Sequence, residues 1–307
     1  MEELLRQAAF GDDPAAGRLL RAKAAGGSGR VRLLAGIVAG AEGRYAAAAT
    51  LFQQLRGGTD RVVAAHAAAA FAAHRRQLGG HAAALTFDGL AVAYATAELG
   101  KSAAVDPDGL DAAGALADGL LGLAADNLGL GRLRTARLLR EKAVRNAPLR
   151  VAAGGGRDKA LTGISGMGEG GWRARVRAGW VGAEIELAAG NAAAAVAPAR
   201  EAAALAEQRG AVRHGIKSDL VLGAALAAAG ASADREKALD LVRNARLAAE
   251  KYELRSLIWP AALISADLLP ANGELYRSRA DTVLHAVLLR ADPGGRRLAR
   301  ESPWVPV

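Results

Sequence analysis

From about residue 30 onward, long runs of Ala, Leu and Val carry scattered charged residues and are broken at intervals by a glycine in a short polar gap. Strands call for Ile, Thr, Tyr or Val alternating with polar residues, and no long stretch here has that period. Ala is the best helix former and a poor strand former. The pattern therefore predicts an all-α chain. Helices that offer so little side chain to one another must pack closely, so the expected unit is a pair of antiparallel helices with a glycine between them.

Internal alignment supports that unit. Five segments align on an inter-helix glycine: Gly43, Gly79, Gly131, Gly190 and Gly230. Five residues after the glycine come Ala48, Ala84, Ala136 and Ala195, with Ala238 equivalent after a longer turn. Twelve after it come Leu55, Ala91, Ala143 and Ala202, with Ala245 equivalent, and seven before it come Gly36, Ala72, Ala124, Ala183 and Gly223. Small residues at matched places let paired helices approach. One pair cannot bury its apolar face alone, so pairs stack. A sixth pair is predicted over residues 254–269 and 273–291, with Pro260 in the first turn of its leading helix, where a missing N–H is harmless.

These small positions, with Pro148 late in the third unit, resemble the tetratricopeptide repeat, which has small residues at its eighth, twentieth and twenty-seventh positions and a proline at its thirty-second. The resemblance covers about residues 30–250. It departs in spacing, since the glycines lie 36, 52, 59 and 40 residues apart instead of at a regular 34, and in the large residue that several units lack early in the first helix. This irregular form is similar to the longer-helix repeats of bacterial signal-responsive regulators. The resemblance implies a right-handed superhelical α-solenoid of about six hairpins, in which the first helix of each pair lines the concave face. It places Arg30, His66, Asp118, Arg177 and Lys217 there, then Leu33, Ala69, Leu121, Trp180 and Leu220, then Ile37, Ala73, Ala125, Glu184 and Ala224. The lysine and asparagine set that clamps a peptide C-terminus in chaperone-binding members is not present.

The organisation expected is therefore capping helices over 1–29, a solenoid over 30–291 with a glycine-rich connection at 149–171, and an extended, proline-containing tail over 292–307. Asp12 or Asp13 is the expected N-cap of a short helix opened by Pro14 and ended by the GGSG at 26–29. The N-terminus has no apolar signal segment. The longest uncharged apolar stretch, 220–233, is too short for a bilayer about 30 Å thick. With no Cys among 307 residues, thiolate chemistry and disulfides are excluded. These features read as a soluble cytoplasmic protein.

The net charge of +9 is carried mainly by Arg. It admits nucleic acid as a partner, although charge alone gives only non-specific attraction and no interleaved aromatics support single-strand binding. The stretch 132–145 sets Arg134, Arg137 and Arg145 near one helical face with Glu141 among them, a face expected to point outward. Gly166, Gly168 and Gly171 fit G-x-G-x-x-G, but no strand precedes them and no G-K-[ST] occurs, so a connection between hairpins is expected instead of a nucleotide site. Gly154 to Gly156 are expected to bend freely, and Ile164 and Met167 to offer a docking point. The five histidines, His66 and His74 two turns apart among them, form no metal-ligand spacing, and no nucleophile or acid–base constellation is present. The expected function is non-catalytic, without cofactor: a scaffold holding a peptide or protein segment, acidic in character, in its concave groove. A ligand- or peptide-sensing domain acting on a separate effector is the alternative. The candidate contacts are Arg173, Arg177, Trp180, Glu184, Arg213, Lys217 and Leu220. Arg173 and Arg177 are one turn apart, as are Arg213 and Lys217, so four cations converge on one wall if the two helices lie side by side. Solvated charges paired with Glu184 and Asp219 are the competing arrangement, and Trp172, Val176, Trp180 and Leu187 form a stripe expected to be mainly core.

Overall fold

The computed structural model describes residues 1–17, 24, 26–102, 105–146, 171–303 and 305–306. Among these residues every regular element is helical: α1 (Glu2–Phe10), α2 (Gly29–Ala41), α3 (Tyr45–Arg56), α4 (Arg61–Gln77), α5 (His81–Glu98), α6 (Ala112–Gly129), α7 (Leu133–Asn146), α8 (Trp172–Ala188), α9 (Ala192–Gln208), α10 (Val212–Ala229), α11 (Ser232–Lys251), α12 (Arg255–Leu268), α13 (Gly273–Leu289) and α14 (Pro293–Glu301), with one 3-10 turn at Pro270–Asn272. Helices α2 to α13 form six antiparallel hairpins. Each leading helix (α2, α4, α6, α8, α10, α12) also touches the leading helix of the next pair, so the hairpins stack into an α-solenoid. No described helix is long and apolar enough to cross a membrane.

The aligned residues explain the stacking. All five anchor glycines are left-handed, with φ of 74° at Gly43, 75° at Gly79, 74° at Gly131, 77° at Gly190 and 74° at Gly230. In the first four units the glycine N–H bonds back three residues and the next N–H bonds back five. Gly131 to Leu128 O at 2.9 Å and Arg132 to Asn127 O at 2.8 Å are one such pair. A left-handed residue closes a helix this way, and a Cβ there would be strained. The small positions are the crossing points: Ala48, Ala84, Ala136, Ala195 and Ala238 are all buried, as are Ala91, Ala143, Ala202 and Ala245. At Gly36 a Cβ would come within 2.5 Å of the Phe52 ring, so α2 and α3 touch only because that side chain is missing.

Side-chain caps start several helices. Ser28 Oγ accepts from Val31 N at 3.3 Å, Asp60 from Val63 N at 3.0 Å and Asp111 from Gly114 N at 2.8 Å. Ser28 thus begins α2, so the GGSG run opens a helix as well as ending a segment. Asp13 accepts from Ala15 N at 3.0 Å, but residues 14–17 are turns and not the predicted helix. Pro260 lies in the second turn of α12, one turn later than expected, which deprives the Ser256 carbonyl of its helical donor. Pro148, Gly166, Gly168 and the rest of the glycine-rich connection up to residue 170 lie outside the described residues. Gly171, its last residue, is left-handed at φ 87° and opens α8.

The C-terminal segment departs most from expectation. Instead of an extended tail, residues 293–301 form α14. Asp292 caps it through Gly295 N at 3.1 Å and Pro293 occupies its first turn, the two signals that start a helix. This helix docks on the opposite end of the solenoid. Arg75 of α4 makes a two-pronged ion pair with Asp292, both bonds 2.9 Å. Ala46 N donates to Arg290 O at 2.7 Å, and α12 packs on α2. On the other side of the molecule α1 reaches α10, with Val212 N bonded to Gly11 O at 3.0 Å. The stack therefore closes on itself, and its concave side becomes a central cavity and not an open groove.

Candidate functional site

The central cavity has a volume of about 410 Å³ and is half enclosed. Every leading helix contributes to its wall: Ile37 from α2; His66, Ala69, Ala73, His74 and Arg76 from α4; Asp118, Leu121 and Ala125 from α6; Arg173, Arg177, Trp180 and Glu184 from α8; Arg213, His214 and Lys217 from α10; Ser256 and Leu257 from α12. Phe10 of α1 closes one corner. A volume in the range of a few hundred cubic ångströms suits a small molecule or a short peptide segment.

Asp118 organises the α6–α8 side. Arg173 Nη2 donates to its Oδ2 at 2.8 Å, Arg177 Nη1 donates to its Oδ1, and His66 Nδ1 lies 3.4 Å from Oδ2. Burial alone raises a carboxyl pKa, but here Arg173 and Arg177, with His66, override burial and hold Asp118 well below the usual carboxylate range. Arg173 also donates to Asp108 O at 2.7 Å, and its guanidinium stacks 4.5 Å from the Phe10 ring centre. Asp108 sits in the loop before α6, where Asp106 Oδ1 accepts from Asp108 N at 2.8 Å and Leu110 N at 3.1 Å, a tight turn around Pro107. Arg6 and Arg30 bind the carboxylates of that loop, so Arg30 is engaged there and is not a cavity residue.

On the α8–α10 side Lys217 Nζ is 3.6 Å from Glu184 and 4.8 Å from the Trp180 ring centre. Trp180 stacks on His214 at 5.6 Å and donates from Nε1 to the buried Ser218 Oγ at 2.8 Å. It is therefore held rigidly, with one edge in the core and one toward the cavity. Trp172 and Val176 are buried, as their stripe predicts. On the α4 side Arg76 donates to Asp88 at 2.9 Å, to Gly122 O at 3.0 Å and to Asp126. Burial pushes Asp88 up to about 8 against the pull of Arg76, so two fully buried carboxylates share one guanidinium.

Six of the seven sequence candidates thus come together: Arg173, Arg177, Trp180, Glu184, Arg213 and Lys217. Leu220 does not join them. It is 4 % exposed and sits in an apolar cluster with Ile216, Val242 and Leu257, because α11 and α12 cover that side of α10. Leu33 is likewise core. Asp219, considered as a partner for the cations, lies away from the cavity; burial and then Glu207 raise it to about 6. Arg137, expected to face outward, bonds Glu186 of α8 at 3.0 and 3.2 Å. Sequence reading passed over Arg76, His214 and Phe10. His214 stands next to Arg213, and Arg76 lies one helical turn beyond Ala73, but α1 meets the cavity only through ring closure.

No protein-family model matches the sequence, and no curated protein matches it. Solved structures do match, among them that of a Rap protein complexed with competence and sporulation factor. That structure superposes with a TM-score of 0.54 at 11% identity, covering 89% of this chain and 72% of the other. At this identity the likeness concerns the fold. The fold is a tetratricopeptide-like helical repeat. Within it the cavity lies on the concave side, where the leading helices of the repeat converge.

Proposed function

We propose that this chain is a non-catalytic binding protein whose central cavity holds a peptide or protein segment bearing acidic groups. The observation that carries the reading is the convergence of Arg173, Arg177, Arg213 and Lys217 on one wall, faced among the described residues by two lining carboxylates, Asp118 and Glu184. Trp180, Leu121 and Leu257 give apolar surface beside that charge, so the site suits a segment with an apolar side chain next to an acidic one. The similar solved structure is itself a complex, of a Rap protein with competence and sporulation factor, and so offers one instance of this architecture with a bound partner.

The test is selection from a random peptide display library on the full chain. Enrichment of Asp- or Glu-containing peptides, lost in Lys217→Glu with helicity unchanged, is the expected result. Enrichment of neutral or basic sequences that bind Lys217→Glu equally well would refute it. A second reading, a sensor acting on a separate effector, draws support from ring closure. A ligand that widens the cavity strains the seam between α4 and α14, which offers the outer surface a reason to change shape. Nucleic acid draws less support, because Arg173, Arg177, Arg213 and Lys217 line the inward cavity and Arg137 is paired.

A further inference from the structure

The cations lining the cavity are not equivalent. Arg76 has Asp88 and Asp126, Arg173 and Arg177 have Asp118, and Lys217 has Glu184. Arg213, which stands beside Arg173 and Arg177 in the same corner, has no ion pair and no hydrogen bond among the described residues. Its neighbour His214 is 3 % exposed and its Nδ1 has no partner, while Arg173 keeps its Nε buried and unpaired behind its two bonded nitrogens. Two of the three guanidinium groups in this corner thus share the one carboxylate of Asp118, and donors beside it remain unused. A half-buried cation without a counter-charge is costly unless an anion arrives. The unfavourable surroundings register on the groups themselves: burial, then Arg173 and Arg177, bring Arg213 down to about 10, and burial with Arg213 holds His214 well below its usual value.

We propose that Arg213, with Arg177 beside it, forms a subsite for one oxyanion, a carboxylate or a phosphate, carried by the ligand of the cavity. This rests on the cavity being a ligand site and narrows it. The guanidinium plane presents a fork of donors matched to two oxygens of either group. Trp180, held by Ser218 and flanked by Lys217, supplies a wall against which the rest of the ligand lies. Asp118 is the fixed counter-charge that keeps Arg177 in place without neutralising Arg213.

The experiment titrates the full chain with inorganic phosphate and, separately, with acetate, at constant ionic strength held by chloride, and follows heat and thermal stability. Saturable binding of at least one anion is expected. Arg213→Gln should weaken it by at least about tenfold, the loss of one charge-assisted pair, while Arg213→Lys keeps most of it. Arg213→Gln removes an unpaired charge and so should melt no lower than the parent, which separates lost binding from lost fold. Binding of phosphate alone assigns a phosphorylated ligand, and binding of acetate assigns a carboxylate. Saturation by neither anion, or equal binding by Arg213→Gln, overturns the subsite. Peptide capture that survives Arg213→Gln also overturns it while leaving the cavity reading intact. Anion binding lost in Arg213→Gln without any peptide capture supports the subsite and ends the peptide reading.

Discussion

Asp118→Asn replaces the hub of the cavity with a neutral group of the same shape. Asp118 is 5 % exposed, Arg173 is 8 % exposed, and both prongs of the carboxylate are engaged by guanidinium groups. Removing one partner from a buried ion pair costs about 3–5 kcal/mol, because the charge left behind is no longer compensated. Here two arginines lose it at once, with Arg213 close by. For a chain of this size such a loss lowers the melting temperature by roughly 5–15 °C. The parent, Asp118→Asn, Arg213→Gln and the double variant are compared by urea denaturation at pH 7. If repulsion among the three guanidinium groups is the cause, deleting Arg213 relieves part of the damage. The double variant should then be more stable than the sum of the singles by at least about 1 kcal/mol. A pH series checks the sign. A carboxyl held below its unfolded value stabilises above that value and ceases to do so as pH falls through its folded value, so the gap between parent and Asp118→Asn should close in acid. A loss under about 1 kcal/mol at pH 7, or strict additivity with Arg213→Gln, would show that Asp118 is not the counter-charge described.

Burial and nearby Arg75 and Arg213 lower His74 to about 3, so between about pH 6.5 and pH 3 only the unfolded chain binds its proton; stability should fall by about 1.3 kcal/mol between pH 7 and pH 5.5 from this group, and His74→Gln should flatten that slope in urea titrations. Gly131→Ala meets no neighbour within 4 Å, yet its φ of 74° should cost about 1–2 kcal/mol by chemical denaturation, and a neutral result would mean that the turn relaxes. Trp180→Phe removes the donor to Ser218 Oγ and should cost about 1–3 kcal/mol on the same measurement. Arg75→Met cuts both bonds to Asp292 and should speed amide exchange in α14 while leaving α6 to α9 protected.

The repeat was legible because its cause is local. A left-handed turn needs glycine and a close crossing needs a small side chain, so Gly43, Gly131, Gly36 and Ala183 announce themselves within a single unit. The cationic wall was legible as spacing along α8 and α10. What pairs with what was not, because Asp118 meets Arg173 from 55 positions away and only the rotation between adjacent hairpins decides that meeting. The free state of Arg213 is an absence, and no residue pattern encodes it. Helix α14 carried its own start signals in Asp292 and Pro293, but the three prolines of the segment pointed to an extended chain. Ring closure depends on the summed pitch of six hairpins, a quantity no single segment contains. It moved Phe10 to the cavity, whereas Leu220 left contention through ordinary stacking, under α11 and α12.

Because α14 and α13 lock onto α4 and α3, the number of hairpins is fixed by circumference. An open array of this kind gains or loses a unit at the expense of one interface, and its ends fray independently. In this molecule a seventh hairpin would pry apart the Arg75–Asp292 seam and the bond between Gly11 and Val212 together. Length variation should therefore collect in the connections that leave the circle unchanged, such as the one between α7 and α8, while the count of hairpins stays at six.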